Sequence, residues 1–245
     1  MKNITKESTI GQIVADNNQT ASVFKKYAID FCCNGNRSIQ EACLKTDISV
    51  EKLLDELNVV TPTTGLTSEY ASWPVDLLVD YILKKHHRYV EEKITEILPH
   101  LEKIVRVHGK QHPELYKVQQ LFSDAAGELT KHLKKEELIL FPFIQKMVFA
   151  LENNQPIPSP HFQTVENPIQ MMHHEHNNEG ERFRQISNLT NTYTPPEDAC
   201  TTFRLTYSLL QEFENDLHQH IHLENNILFP KAQQMETALR QKDLL

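Results

Sequence analysis

The chain has 245 residues, 39% hydrophobic and 24% charged, the make-up of an ordinary globular protein with one large domain or a large and a small one. A formal net charge of −8 argues against nucleic acid or an anionic membrane as the main partner, and no stretch is apolar enough to span a membrane. Only 6 glycines are present, which favours long helices over turn-rich β structure. The first residues, Met1 to Glu7, lack the apolar core of a signal peptide, and the 4 cysteines suit a reducing compartment, so the expected location is the cytoplasm. The 13 histidines, several of them clustered, point to metal.

Residues 1–60 read as a small helical domain. Ser8 or Thr9 can cap a first helix through Ile10, Ile13 and Val14, and Thr20 or Ser22 can start a second. The run Asp30-Phe31-Cys32-Cys33-Asn34-Gly35 breaks the helical pattern as a tight turn. Ser38 with Glu41 forms a capping box for a third helix, and Ser49 precedes a fourth. This unit is too small to hold much core of its own and is expected to lean on a partner. Residues 61–72 show no periodicity and read as a linker.

Residues 73–245 carry four long helical stretches. The first opens at Ser72-Trp73-Pro74, stops at Gly109, and has the stripe Leu83, His87, Val90, Ile94, Leu98 and Leu101. The second opens at Pro113, with Leu115, Val118, Phe122, Ala125, Leu129, His132, Glu136, Ile139 and Phe143 at steps of three and four, the seam of a helix bundle. The third opens at Asn167-Pro168 and carries Ile169, Met172, His176, Phe183 and Ile186. The fourth is expected to start with a capping box at Thr194 to Glu197. Its face holds Phe203, Tyr207, Leu210, Phe213, Leu217, His220, Glu224 and Ile227. The predicted fold is all-α: an up-down-up-down four-helix bundle behind a small helical N-terminal domain.

One motif occurs twice. His132 and Glu136, followed by Ile139-Leu140-Phe141-Pro142, match His220 and Glu224, followed by Ile227-Leu228-Phe229-Pro230. The two copies lie 88 positions apart, and His87 and His176 lie 89 apart. Each helical hairpin thus offers one histidine from its first helix and a His/Glu pair from its second. A single pair of this kind reads as a salt bridge, and a lone inward histidine as a satisfied core residue. A buried carboxylate, however, is costly without a compensating cation, and metal accounts for all six residues together. Imidazole with carboxylate suits iron, manganese or zinc. The prolines six residues past each glutamate bend the helices around a wide core. His86, His173, His174, His218 and His222 read as surface groups or as residues that orient ligands, and Glu175 as a solvated charge or a weaker orienting group. Cys32 and Cys33 can close only a strained ring. They are read as reactive thiols or metal ligands, with ordinary packing as the alternative. Cys43 and Cys200 read as buried bystanders.

Four segments carry a resemblance to a known family. Phe24 to Asn36, with its Cys-Cys pair, is similar to the N-terminal signature of the iron–sulfur cluster repair di-iron proteins. The two His-Glu motifs, and Pro195-Pro196-Glu197-Asp198-Ala199-Cys200-Thr201-Thr202, resemble the hemerythrin-like domain of the same family. The resemblance implies two non-haem iron ions bridged by Glu136 and Glu224, with His87, His132, His176 and His220 as the other ligands. It further implies repair of iron–sulfur proteins damaged by nitric oxide or peroxide, NO or O2 as small ligands, and a homodimer. Cys32 and Cys33 are expected, as a mechanistic hypothesis beside the resemblance, to act as redox or transfer thiols. Alternative readings are a hemerythrin-like O2 or NO sensor and an enzyme that reduces NO.

Overall fold

The computed structural model describes residues 4–44, 48–60, 70–157 and 159–242. Among them every extended element is helical, apart from one isolated bridge between Thr9 and Ser38. The expected linker falls mostly on residues 61–69, outside the described residues, and Tyr70–Ser72 forms a single 3₁₀ turn. The chain divides into two compact units: Met1–Leu78, Met147–Ile157 and Ile221–Leu245 in one, Val79–Lys146 and Pro158–His220 in the other.

The second unit is a helical bundle. It holds α6 (Arg88–His108), most of the run of α7 (Glu114–Lys135) towards α8 (Phe141–Glu152), α9 (Glu166–Leu189), and α10 (Thr201–Leu223) up to His220. Helix α6 packs on α7, and α7 on α9. The bundle centre is aromatic. Phe183 stacks on Phe213 at 5.4 Å between ring centroids, and Phe122 meets both rings edge-on, at 6.3 and 5.3 Å. Burying each such ring contributes about 2–3 kcal/mol and leaves no space for a polar group without a partner.

The seam departs from the predicted stripes in an instructive way. In the first helical run, α5 (Val75–Tyr81) leads into a π-helical turn over Ile82–His87, so Ile82, His86 and His87 are all buried and Leu83 is only partly so. Further along α6, Ile97 is buried where the stripe named Ile94 and Leu98. A second π turn spans Glu136–Leu140, closed by the Phe141 N–H donating to the Glu136 carbonyl. One extra residue in that turn carries the seam from Ile139, which is 39% exposed, to Leu140, which is buried. A third π turn, Glu224–Leu228, is closed in the same way from Phe229 to Glu224. Pro142 and Pro230 have no N–H to donate. The expected bend is therefore expressed as a widened turn that begins at each glutamate of the repeat.

Helix starts follow local chemistry, with two shifts. Ser38 and Glu41 form the capping box of α3 (Ile39–Cys43), and Ser49 caps α4 (Val50–Val59). Helix α9 begins at Glu166, slightly ahead of Asn167-Pro168. Helix α10 begins at Thr201, not at Thr194. Asn191, Thr192 and Tyr193 have positive φ, and the chain stays irregular through the paired prolines until Cys200, whose carbonyl accepts from the Arg204 N–H.

In the first unit, α1 (Ile10–Asp16), α2 (Thr20–Lys26), α3 and α4 bury Ile10, Val14, Phe24, Ile39, Leu53 and Leu57. The partner this small domain needs is the end of its own chain. Helix α1 packs on the π turn Glu224–Leu228, and Lys231 on α11 (Phe229–Lys242) donates to the Trp73 carbonyl at 2.7 Å. Gly11 and Gly35 permit the close approach. A Cβ on Gly11 would lie 2.2 Å, and one on Gly35 2.5 Å, from the Asn226 side-chain oxygen.

Candidate metal centre

Within the bundle, five of the six predicted ligands converge. Ligand atoms of His87, Glu136 and His220 lie within 4.8 Å of one another, as do those of His132, Glu136 and His176. His87 Nε2 is 3.4 Å, and His132 Nε2 3.3 Å, from Glu136 Oε2. The Nε2 atoms of His132 and His176 are 3.2 Å apart. Ligand atoms that share an ion at about 2.1 Å sit about 3 Å from one another, so these separations suit a metal. His87, His132, His176 and His220 are buried, and Glu136 is wholly shielded from solvent.

The outer carboxylates sharpen the reading. His87 Nδ1 donates to Glu137 at 3.1 Å, and His132 Nδ1 donates to Glu175 at 2.8 Å. With Nδ1 as the donor, a neutral imidazole turns its Nε2 lone pair toward Glu136. A lone pair facing a buried carboxylate is unfavourable unless a cation lies between them. The donor set therefore fits a metal ion and fits poorly with an empty salt bridge. The hydrogen bond from His132, aided by Lys135, holds the Glu175 carboxyl down at about 2, so it is an anion throughout the physiological range.

His86 is also part of the environment, although its register set it off the stripe. The π turn buries it beside His87, its Nδ1 donates to Asp216 at 3.0 Å, and its ring stacks on His220 at 5.5 Å. Tyr81 lies edge-on to His86 at 5.5 Å. Phe141, directly after the second π turn, covers His87 at 5.6 Å. Glu179 was missed by the sequence reading. It is buried on α9 one turn past His176, ion-paired with Arg182, and burial outweighs that cation to push its carboxyl up to about 7. The signal was present as the gap in the third stripe between His176 and Phe183.

The sixth predicted residue, Glu224, belongs to the first unit and is wholly buried. It follows His220 by four residues, the spacing that puts two side chains on one helix face.

The Cys-Cys turn lies in the same unit. Asp30 Oδ1 accepts from the backbone N–H of Cys32 at 3.1 Å and of Cys33 at 2.9 Å, and Asp30 Oδ2 from the Asn34 amide at 2.6 Å. The side-chain amides of Asn225 and Asn226, immediately after Glu224, donate to the Cys32 carbonyl at 3.2 and 3.3 Å. Asn226 also donates to the Phe31 carbonyl at 3.3 Å. Cys32 is buried and Cys33 partly exposed; the hydrogen bond with Cys33, followed by burial, raises the Cys32 thiol well above its ordinary range. Cys43 is buried as expected. Cys200 is not: it is exposed, because it caps α10 at the bundle surface, with His108 Nε2 at 3.2 Å.

Residues 78–232 match the hemerythrin HHE cation binding domain, and residues 6–61 match a domain of unknown function designated ScdA_N. Among curated proteins, the chain is 34% identical over 230 residues to the iron-sulfur cluster repair protein ScdA of Staphylococcus haemolyticus, covering 93% of this chain and 99% of that one. It is 33% identical over 231 residues to ScdA of Staphylococcus epidermidis, covering 94% and 99%. It is 31% identical over 227 residues to the iron-sulfur cluster repair protein YtfE of Yersinia pseudotuberculosis, covering 93% and 97%.

Proposed function

The chain belongs to the hemerythrin-type iron–sulfur cluster repair family, and from that premise we propose that it repairs iron–sulfur clusters damaged by nitrosative or oxidative stress. The reading assigns two non-haem irons to His87, His132, Glu136, His176, His220 and Glu224, with Glu136 and Glu224 as bridges. The observation that carries it is the buried convergence of His87, His132, His176 and His220 on Glu136, with Glu137 and Glu175 orienting two of the imidazoles. Glu224 joins the set on its burial, on its helical spacing from His220, and on the π turn it shares in kind with Glu136.

Iron held there supplies redox capacity and coordination positions for a small ligand such as NO or O2. The chain's own residues do the rest. His87 and His132 would hold the iron through Nε2 while Glu137 and Glu175 hold their Nδ1 protons, and Phe141 lies against the His87 ring. Iron for the client is cargo, and Cys32 and Cys33 are the transfer thiols in this reading. The working arrangement is an N-terminal domain over 1–60, a linker over 61–72 and a di-iron domain over 73–245. The protein acts as a cytoplasmic homodimer on iron–sulfur proteins. Among the described residues no helix is long and apolar enough to cross a membrane.

The test is recovery of a purified iron–sulfur enzyme inactivated by NO, under anaerobic conditions with the reduced protein. Recovery with the native chain, its loss in Glu136→Ala/Glu224→Ala and its slowing in Cys32→Ser/Cys33→Ser are expected. Recovery no faster than with the same amount of free ferrous iron would defeat the reading.

A further inference from the structure

The Cys-Cys turn carries more than two thiols. Cys32 Sγ lies 3.7 Å from Cys33 Sγ and 3.4 Å from Asp30 Oδ1, and ligand atoms of all three residues fall within 4.8 Å of one another. Two sulfurs each about 2.3 Å from one ion at a tetrahedral angle lie about 3.8 Å apart, and a sulfur and an oxygen about 3.5 Å apart. The two separations from Cys32 match that pattern, and the third pair lies within 4.8 Å.

We propose that Asp30, Cys32 and Cys33 form a second cation site, separate from the bundle centre, for one thiophilic divalent transition-metal ion. Two thiolates and one carboxylate suit Fe(II), Co(II) or Zn(II) and exclude Ca(II) and Mg(II). Loading replaces two S–H bonds with two S–metal bonds, and both protons leave to solvent. The ion takes the place of the S–H contact from Cys32 to Asp30.

The turn is built in advance for this. Asn225 and Asn226 fix the Cys32 carbonyl, Asn226 fixes the Phe31 carbonyl, and Asp30 holds the backbone N–H groups of both cysteines. Little chain entropy is therefore lost on binding. Three protein ligands leave one position open, and Cys33 is partly exposed, so the fourth ligand comes from outside. An open thiolate site of this kind exchanges its ion with another thiol ligand and does not store it. Use of the site as the point where iron passes to a client rests on the repair reading; the binding itself does not.

The experiment is an anaerobic Co(II) titration of the reduced full-length chain, followed by thiolate-to-Co(II) charge-transfer absorption. The histidine and carboxylate ligands of the bundle give no such band. One equivalent of band-forming Co(II) is expected, persisting in Glu136→Ala/Glu224→Ala and absent from Cys32→Ser and from Cys33→Ser. Asp30→Asn keeps an oxygen for the two backbone N–H groups, with the Asn34 amide turning over so that its oxygen accepts from the new NH2, and it should weaken binding by about tenfold or more. Amide exchange of the turn checks that it has stayed formed. No thiolate band in the native chain, or an unchanged midpoint in Asp30→Asn, overturns the proposal. Cluster repair by a chain without the band would sink this site and leave the repair reading standing. The band without any repair would do the reverse.

Discussion

Glu175 accepts the Nδ1 proton of His132 at 2.8 Å and, through its other oxygen, pairs with Lys135. The carboxylate therefore decides which nitrogen of His132 faces Glu136. Glu137 does the same for His87 from the other hairpin partner.

Removing that orienting group should cost metal before it costs fold. Glu175→Ala and Glu137→Ala are each expected to weaken iron retention by about 10–100-fold, with thermal stability changed little. Dialysis against graded chelator followed by metal analysis reads the difference. Retention equal to the native chain would make both carboxylates mere surface charges.

Asn226 is predicted to govern order in the Cys-Cys turn. Its amide holds the Phe31 and Cys32 carbonyls, so Asn226→Ala should cost about 1–3 kcal/mol and accelerate amide exchange across residues 30–36. Gly35→Ala should act in the same direction, because the added Cβ would lie 2.5 Å from Asn226 Oδ1 and 2.7 Å from the Phe31 carbonyl. Exchange mass spectrometry on that peptide checks both variants; unchanged rates would contradict the anchoring.

The metal-free chain should lose stability as pH rises from about 4.5 to about 7 through Glu179. Its carboxyl is raised from 4.5 to about 7 by burial, so the folded state favours the neutral form. That contribution is complete below the unfolded value and is lost as pH climbs through the folded one. Glu179→Gln should remove this slope and be more stable than the native apo-protein at pH 8, by on the order of 2 kcal/mol. Denaturant unfolding at pH 5 and pH 8 gives the comparison. Equal slopes would show that Arg182 compensates the charge fully.

Much of this arrangement is legible in the residues. The duplicated His/Glu spacing names Glu136 and Glu224, and the seam period carries His132, His176 and His220 inward, because both depend on local helix geometry. The capping box at Ser38 and the N-cap at Ser49 are legible for the same reason. What escapes is set by breaks in that geometry. The π turns bury His86 beside His87 and hand the seam from Ile139 to Leu140, and a uniform 3.6-residue period has no means of showing an inserted residue. The paired prolines after Tyr193 delay α10, which leaves Cys200 at an exposed helix start. The anchoring of the Cys-Cys turn by Asn225 and Asn226 joins residues nearly 200 positions apart, and no local pattern encodes it.

The central claim is a di-iron centre bridged by Glu136 and Glu224, and metal content with Mössbauer spectroscopy on anaerobically prepared protein tests it most directly. Two irons per chain in a coupled pair are predicted, with both lost from Glu136→Ala/Glu224→Ala. Fewer than two metals per chain, together with no loss in that double variant, would contradict it.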